Sequence, residues 1–146
     1  MKKILFFLPL IIMFVTLSCN PNKTGGEGES KQTKSRMTYF EYGGYTDTIY
    51  AHISGEVYEV GEDGKLQPLS DATVEIEQIK RTTQTNEIGI FGFWLEKGVY
   101  TIVVAKDGYQ PLTLTNYVSI PDQLSSTKII LEKGTEMQTV NVPDRK

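Results

Sequence analysis

Hydrophobic and polar residues alternate along most of the chain after residue 37. The first clear segment places one set of residues on a single strand face: Ile49, Ala51, Ile53, Gly55 and Val57. The same two-residue period returns at 72–77, 90–95, 100–104, 112–114 and 126–132. This period predicts β-strands, and no segment shows the sustained 3.6-residue apolar period of a helix.

Turn-forming residues separate these predicted strands, at 62–64, 86–89, 97–98 and 107–108. β-branched residues are abundant in the same region, and they suit a pleated sheet. The pattern predicts an all-β fold, a two-sheet antiparallel β-sandwich of about seven strands, in which each sheet buries the apolar face of the other.

Three further segments give less regular patterns. Residues 80–85 predict a short edge strand, and Val140 and Val142 predict a last short strand. Residues 37–48 are rich in aromatic side chains around Gly43-Gly44. A Gly-Gly turn between aromatic arms is typical of a hairpin, but the segment could equally be a partner-docking arm.

The chain divides into three zones. Residues 1–18 hold Lys2 and Lys3, then an apolar run from Ile4 to Leu17, which is typical of a signal peptide and shorter than the about 20 residues of a spanning helix. Residues 19–36 comprise Cys19 and a polar segment that we expect to be a disordered tether. Residues 37–146 form the predicted globular domain.

The stretch Thr16-Leu17-Ser18-Cys19 resembles a bacterial lipobox, although Thr16 stands where that motif usually has Leu. The resemblance implies cleavage before Cys19 and lipidation of its sulfur and new amine, which would hold the protein on a lipid membrane. A plain secretory signal is the alternative. Asn20 favours the outer membrane, on its periplasmic or surface face; with no acidic run after Cys19, the periplasmic face is favoured.

The composition limits which partners and which kinds of site this protein can have. The formal net charge is −3, which disfavours nucleic acid as a partner, and loss of Lys2 and Lys3 on cleavage would take it to −5. The chain has one Cys and one His, so an internal disulfide and a Cys-rich zinc site are excluded. We predict no metal site and no cofactor.

An ordered series of residues resembles the carboxypeptidase regulatory-like domain over about 49–133. The series runs Ile53-x-Gly55-x-Val57, Pro68-Leu69-x-x-Ala72-x-Val74, Thr85-Asn86-x-x-Gly89-x-Phe91-x-Phe93, Gly98-x-Tyr100 and Gly108-Tyr109. The resemblance implies a transthyretin-like (prealbumin-like) sandwich whose motif residues are structural and not catalytic. A short C-terminal stretch, 136–142, also looks like the segment that follows this domain in some TonB-dependent transporters.

The motif residues have expected scaffold roles. Gly55 would allow a close approach or a bulge, and Ala72 would fill a tight space between the sheets. Gly89 and Gly98 would supply turn conformations that a Cβ resists. Tyr100 and Tyr109 would bury their rings and tie down loops through their hydroxyls.

Three aromatic residues are the candidate ligand-binding set, since alternation directs Trp94, Tyr50 and Tyr58 outward. They could stack on sugars or pack on a protein partner, or be covered by sheet curvature or by residues 37–48. His52 is expected on the surface without a catalytic role. Glu75 and Glu77 could be paired carboxylates, but an exposed acidic face needs no active site and is the favoured interpretation.

The sequence therefore favours a membrane-anchored, non-enzymatic lipoprotein. We expect an accessory or protein-interaction module of the bacterial cell envelope, with an envelope protein as its partner. The alternative is a carbohydrate-binding lipoprotein that uses the exposed aromatic residues.

Overall fold

The computed structural model describes residues 33–44 and 47–143. The predicted leader, Cys19 and most of the predicted tether lie outside the described residues. Within the described ranges, no helix has the length and apolar character needed to cross a membrane.

The described residues form ten β-strands and one short 3₁₀ turn, Glu77–Ile79, so the all-β prediction is confirmed. The strands are β1 (Arg36–Gly44), β2 (Ala51–Val60), β3 (Leu66–Pro68), β4 (Thr73–Ile76), β5 (Arg81–Gln84), β6 (Ile90–Leu95), β7 (Gly98–Ala105), β8 (Leu112–Ser119), β9 (Gln123–Leu131) and β10 (Gln138–Asn141). The sequence predicted no strand at β3 and no single strand at β1. The short strands β5 and β10 correspond to segments that the sequence predicted.

The strands make two five-stranded sheets. The first sheet has the order β1-β9-β2-β3, with β6 also paired to β2, and the second has the order β10-β8-β7-β4-β5. Most neighbours are antiparallel, but β2 pairs with β9 and β8 pairs with β10 in parallel. The predicted antiparallel arrangement is therefore confirmed for most strand pairs but not for these two, because residue alternation encodes which face is buried and not which way a neighbouring strand runs.

The apolar faces of the two sheets form one core. In β2, Ala51, Ile53 and Val57 are buried as predicted, whereas Ile49 precedes the strand and is 61% exposed. The second sheet contributes Val74, Ile76, Ile102, Val104, Leu112 and Leu114. Two facing apolar surfaces of this kind remove each other from water, which is the main stabilising effect in a sandwich.

A bulge explains why the pattern in β8 is blurred after Leu114. Ile102 pairs with Leu114 but Tyr100 pairs with Tyr117, so β8 has one more residue in this interval than β7. Asn116 adopts a left-handed conformation at φ 58°. The extra residue brings both Leu114 and Tyr117 to the buried face, so the two-residue period fails there.

Residues 37–44 do not form a hairpin. They belong to β1, which pairs along its length with β9, and Gly43-Gly44 ends the strand opposite Leu124 and Gln123. The structure also describes residues 33–36, which the sequence analysis assigned to the tether. Ser35 is buried, donates a hydrogen bond to the Gln110 carbonyl (2.7 Å) and accepts one from the Glu132 amide (2.9 Å).

The structure explains each motif glycine by a different physical reason. A Cβ at Gly55 would overlap the Phe91 ring and lie 2.8 Å from Thr127 Cγ2, so this is the expected close approach. Gly89 combines φ 75° with contact against the Val57 carbonyl. Gly98 has no left-handed backbone, contrary to expectation; instead a Cβ there would lie 3.0 Å from the Tyr100 ring.

The motif also fixes its loops by hydrogen bonds. The buried Thr85 hydroxyl accepts from the amide of the fully buried Ala72 (2.9 Å) and donates to the Leu69 carbonyl (2.7 Å). Asn86 Oδ1 accepts from the amides of Ile88 and Ile90, which closes the turn before β6. These bonds satisfy backbone groups that would otherwise be costly to bury.

Both motif tyrosines tie down chain segments as expected. The Tyr100 hydroxyl donates to the Glu96 carbonyl (3.1 Å), and the Tyr109 hydroxyl donates to Glu59 Oε2 (2.5 Å). The hydrogen bond to Glu59, followed by burial and the carboxylate charge, raises the pKa of Tyr109 to about 12. Tyr109 therefore joins the loop after β7 to β2 of the other sheet.

Replacing Gly89 by Ala should reduce the free energy of unfolding by about 3 kcal/mol, because it adds an overlap with backbone to a strained left-handed residue. Gly108 is the matched control: its φ is 83°, but no atom of the described residues lies within 4 Å of the position that a Cβ would take. Gly108→Ala should cost only about 1 kcal/mol. Urea unfolding measures both, and equal losses would contradict the close approach at Gly89.

Candidate functional site

The outer face of the first sheet carries two of the three candidate aromatic residues. Trp94 on β6 lies directly opposite His52 on β2, with ring centroids 4.5 Å apart and ring planes tilted by 48°. Trp94 is 38% exposed, so the outward direction predicted for it is observed. The pair presents an aromatic surface to solvent at one end of the sheet.

Tyr50 lies at the same end of β2 as this pair. It precedes β2 by one residue, is 38% exposed and lies two positions from His52. The Asp47 carboxylate accepts hydrogen bonds from the amides of Ile49 (2.8 Å) and Tyr50 (3.0 Å). These bonds lower the pKa of Asp47 and hold the chain that carries Tyr50.

Tyr58 does not belong to the same group. It lies six residues along β2 from His52, which corresponds to roughly 20 Å in a strand. Its hydroxyl donates to Glu56 Oε2 (2.9 Å), and Lys128 Nζ lies 5.1 Å from its ring centroid. The hydrogen bond to Glu56, with burial and the Glu56 charge, raises the pKa of Tyr58. The structure thus separates Tyr58 from Trp94 and Tyr50.

A row of small residues crosses the sheet between these two groups. Gly92, Ser54 and Ser126 occupy neighbouring positions on β6, β2 and β9. Next to this row, Lys128 Nζ lies 3.5 Å from Glu56 Oε2. Tyr39, Glu56, Ser126 and Lys128 line a shallow depression of about 350 Å³. The face is therefore aromatic at one end and polar, with paired charges, at the other.

Residues that the sequence did not single out support this face. Arg81 Nη1 donates to the Trp94 carbonyl (3.0 Å), and its guanidinium carbon lies 5.7 Å from the Phe93 ring centroid. His52 contacts β6 because β2 and β6 pair, and Arg81 contacts β6 because the second sheet lies close to it. No pattern in the sequence specifies these two contacts, since β2 and β6 are not joined by a hairpin turn.

The other candidate groups have structural surroundings. Glu75 pairs with Lys80 (3.4 Å), while Glu77 begins the 3₁₀ turn, so the two are not paired carboxylates on one strand face. In the described part of the chain, no group of three or more His, Cys, Asp or Glu side chains is placed to hold a metal ion.

A second cavity, of about 600 Å³, lies at one end of the second sheet. Its polar lining includes Asp71, Gln84, Lys106 and Asp107, beside the Tyr109 ring. Lys106 Nζ donates to the Ser70 carbonyl, and Ser70 Oγ donates to Asp71 (3.2 Å). Several of these polar groups are therefore engaged within the protein.

The Trp94–His52 contact should be visible in solution, because the chain has one Trp and one His. Burial lowers the pKa of His52 from its ordinary value of 6.5. Acidification should therefore change Trp94 emission with a midpoint below 6.5, as a cation forms against the indole. His52→Gln should remove this titration, and a wild-type emission that is flat across pH 4–8 would contradict the contact.

Comparisons with known proteins add little to this geometry. No family model matches the chain, and no curated protein matches its sequence. A solved structure, 3-chlorocatechol 1,2-dioxygenase from Rhodococcus opacus 1CP, is similar at 15% identity and a TM-score of 0.43. The similarity covers 59% of this chain and 61% of that chain, so the chain spans about three-fifths of that enzyme's length. At this level it supports no inference about family or chemistry.

Proposed function

We propose that this chain is a membrane-anchored, non-enzymatic lipoprotein that acts as an accessory or protein-interaction module of the bacterial cell envelope. Acylated Cys19 would hold it on a membrane, with the outer membrane favoured, and the sandwich would present a docking face to an envelope protein. The proposal assigns no catalytic residue and no cofactor.

One observation carries the docking role. The outer face of the first sheet exposes Tyr39, Ile90 and Trp94 by 38–47%, and Tyr50 precedes β2 at the Trp94 end. Aromatic side chains on a surface are enriched where proteins bind partners, and tyrosine and tryptophan contribute most of the binding energy there. Their strands β1 and β6 pair with β9 and β2 of the same sheet, and this pairing holds the side chains in place.

We also propose that the sandwich is a carboxypeptidase regulatory-like, transthyretin-like domain. The support is that the motif residues serve the fold: Gly55 and Gly89 allow close contacts, Phe91 packs on Gly55, and Thr85 and Tyr109 fix loops. These roles match a structural module and need no chemistry at the motif.

A crosslinking pull-down of the full chain from membranes tests both parts. Wild type should be recovered from the membrane fraction with Cys19 at its acylated N-terminus, and Cys19→Ala should shift to the soluble or unprocessed pool. A membrane-bound Cys19→Ala together with an unprocessed wild type would refute the anchor.

The docking face is tested in the same pull-down by two variants. Trp94→Ala should lose most of the crosslinked partner, whereas Val99→Ala, an exposed position on β7 of the second sheet, should retain it. Equal recovery of the partner with both variants would show that the outer face of the first sheet does not bind it.

Carbohydrate binding is the second candidate, favoured by the exposed Trp94 ring on His52 with Tyr50 adjacent. Sugar rings stack on flat aromatic surfaces of this kind. Titration of neutral oligosaccharides should then shift the emission of Trp94, the single Trp. Tyr50→Ala should weaken the response about tenfold, while Tyr58→Ala, remote from Trp94, should leave it unchanged. A flat response across a broad glycan set would end this candidate.

A further inference from the structure

The edge strands of the two sheets differ in how they are protected. Strand β3 is three residues long and ends in Pro68, and β5 is four residues long and begins at Arg81. Strand β6 is protected by Arg81 of β5, which donates a hydrogen bond to the Trp94 carbonyl. Strand β10 is four residues long, and Pro143 follows two residues after its end. Short length, proline and basic side chains are the usual devices that stop an edge from pairing with another chain.

Strand β1 has fewer of these devices. It is nine residues long, lies at one edge of the first sheet in the described part of the chain, and contains neither Lys nor Pro. Its one basic residue, Arg36, is engaged by Glu132 at 2.9 Å. The irregularity between Met37 and Tyr39 is confined to the start of the strand, so Tyr39–Gly44 is a regular edge.

Two glycines in this edge are not required by contacts with the described residues. Among those residues, a Cβ at Gly44 would meet nothing within 4 Å, and one at Gly43 would make only ordinary contacts of 3.7–3.9 Å with Leu124. Neither residue has a positive φ. Glycine weakens a strand, because it has no side chain to pack against a cross-strand neighbour.

We propose that β1 pairs antiparallel with β1 of a second copy of this chain, about a two-fold axis at Tyr42. In the sequence Phe40-Glu41-Tyr42-Gly43-Gly44, the large side chains before Tyr42 would face the glycines after Tyr42 in the other copy. Phe40 then lies opposite Gly44 of the other copy, and Glu41 lies opposite Gly43. An aromatic side chain across from an edge glycine compensates for the missing side chain.

Charge repulsion favours a two-fold axis at Tyr42 over one at the neighbouring residue Glu41. An axis at Glu41 would set two carboxylates directly opposite each other, which is destabilising. An axis at Phe40 would use the irregular residues near Thr38. An axis at Tyr42 keeps five residue pairs within the regular stretch and joins the two first sheets into one continuous sheet, an isologous dimer.

Cysteine substitution tests the axis in the full chain in cells. Residues that pair with themselves across a two-fold axis have Cα atoms roughly 4.5–5.5 Å apart, within disulfide range. Tyr42→Cys should give an oxidised dimer at twice the monomer mass, and Glu41→Cys should remain monomeric. Equal crosslinking of the two variants, or no dimer with Tyr42→Cys, overturns the proposal; so does crosslinking to a different protein.

A charge pair at Gly43 gives a second test that leaves the core untouched. Gly43→Lys would face Glu41 of the other copy and should tighten the dimer, whereas Gly43→Glu should loosen it. Sedimentation of the full processed chain in detergent should show dimer dissociation constants that differ by about tenfold or more between the two variants. Identical constants, or a monomer in all variants at high concentration, would overturn the pairing.

Discussion

Mutual burial of two apolar sheet faces is the constraint on which the rest of this structure depends. Ile53 and Phe93 of the first sheet and Val74 and Ile102 of the second are almost inaccessible to water. Neither face could be left exposed, because each would leave a large apolar surface in solvent. Once the faces meet, every second residue of the central strands is committed to the core, and the residues between them are directed outward.

Burial of alternate residues in the core also determines which residues form the outer face of the first sheet. His52 and Trp94 are outward because Ile53 and Phe93 are inward, and they meet because β2 and β6 pair in a register set by the core. The same register aligns Ser54 with Gly92 and places Lys128 beside Glu56. The binding surface is therefore positioned by the core, although none of its side chains belongs to the core.

Close contacts between backbone and side chain set where the sheets and loops meet. Gly55 lets the Phe91 ring lie on β2, and Gly89 lies against the Val57 carbonyl while Val57 donates to the Gly89 carbonyl (2.8 Å). The Thr85 hydroxyl bridges Ala72 and Leu69 in the same region. These residues fix one end of the sandwich, which explains why they form an ordered series in the sequence while none of them faces solvent as a binding group.

The sequence by itself determined which residues are buried in regular strands, since a two-residue period states directly which side chains share a face. It predicted the all-β class, the turns at 86–89 and 107–108, and the outward direction of Trp94. Only the tertiary structure decided the parallel pairing of β2 with β9, the bulge at Asn116, and the single strand at 36–44 in place of a hairpin. It also decided that Tyr50, but not Tyr58, lies near Trp94. These features depend on which strands become neighbours across long stretches of chain, and alternation carries no information about a strand's partner or its direction.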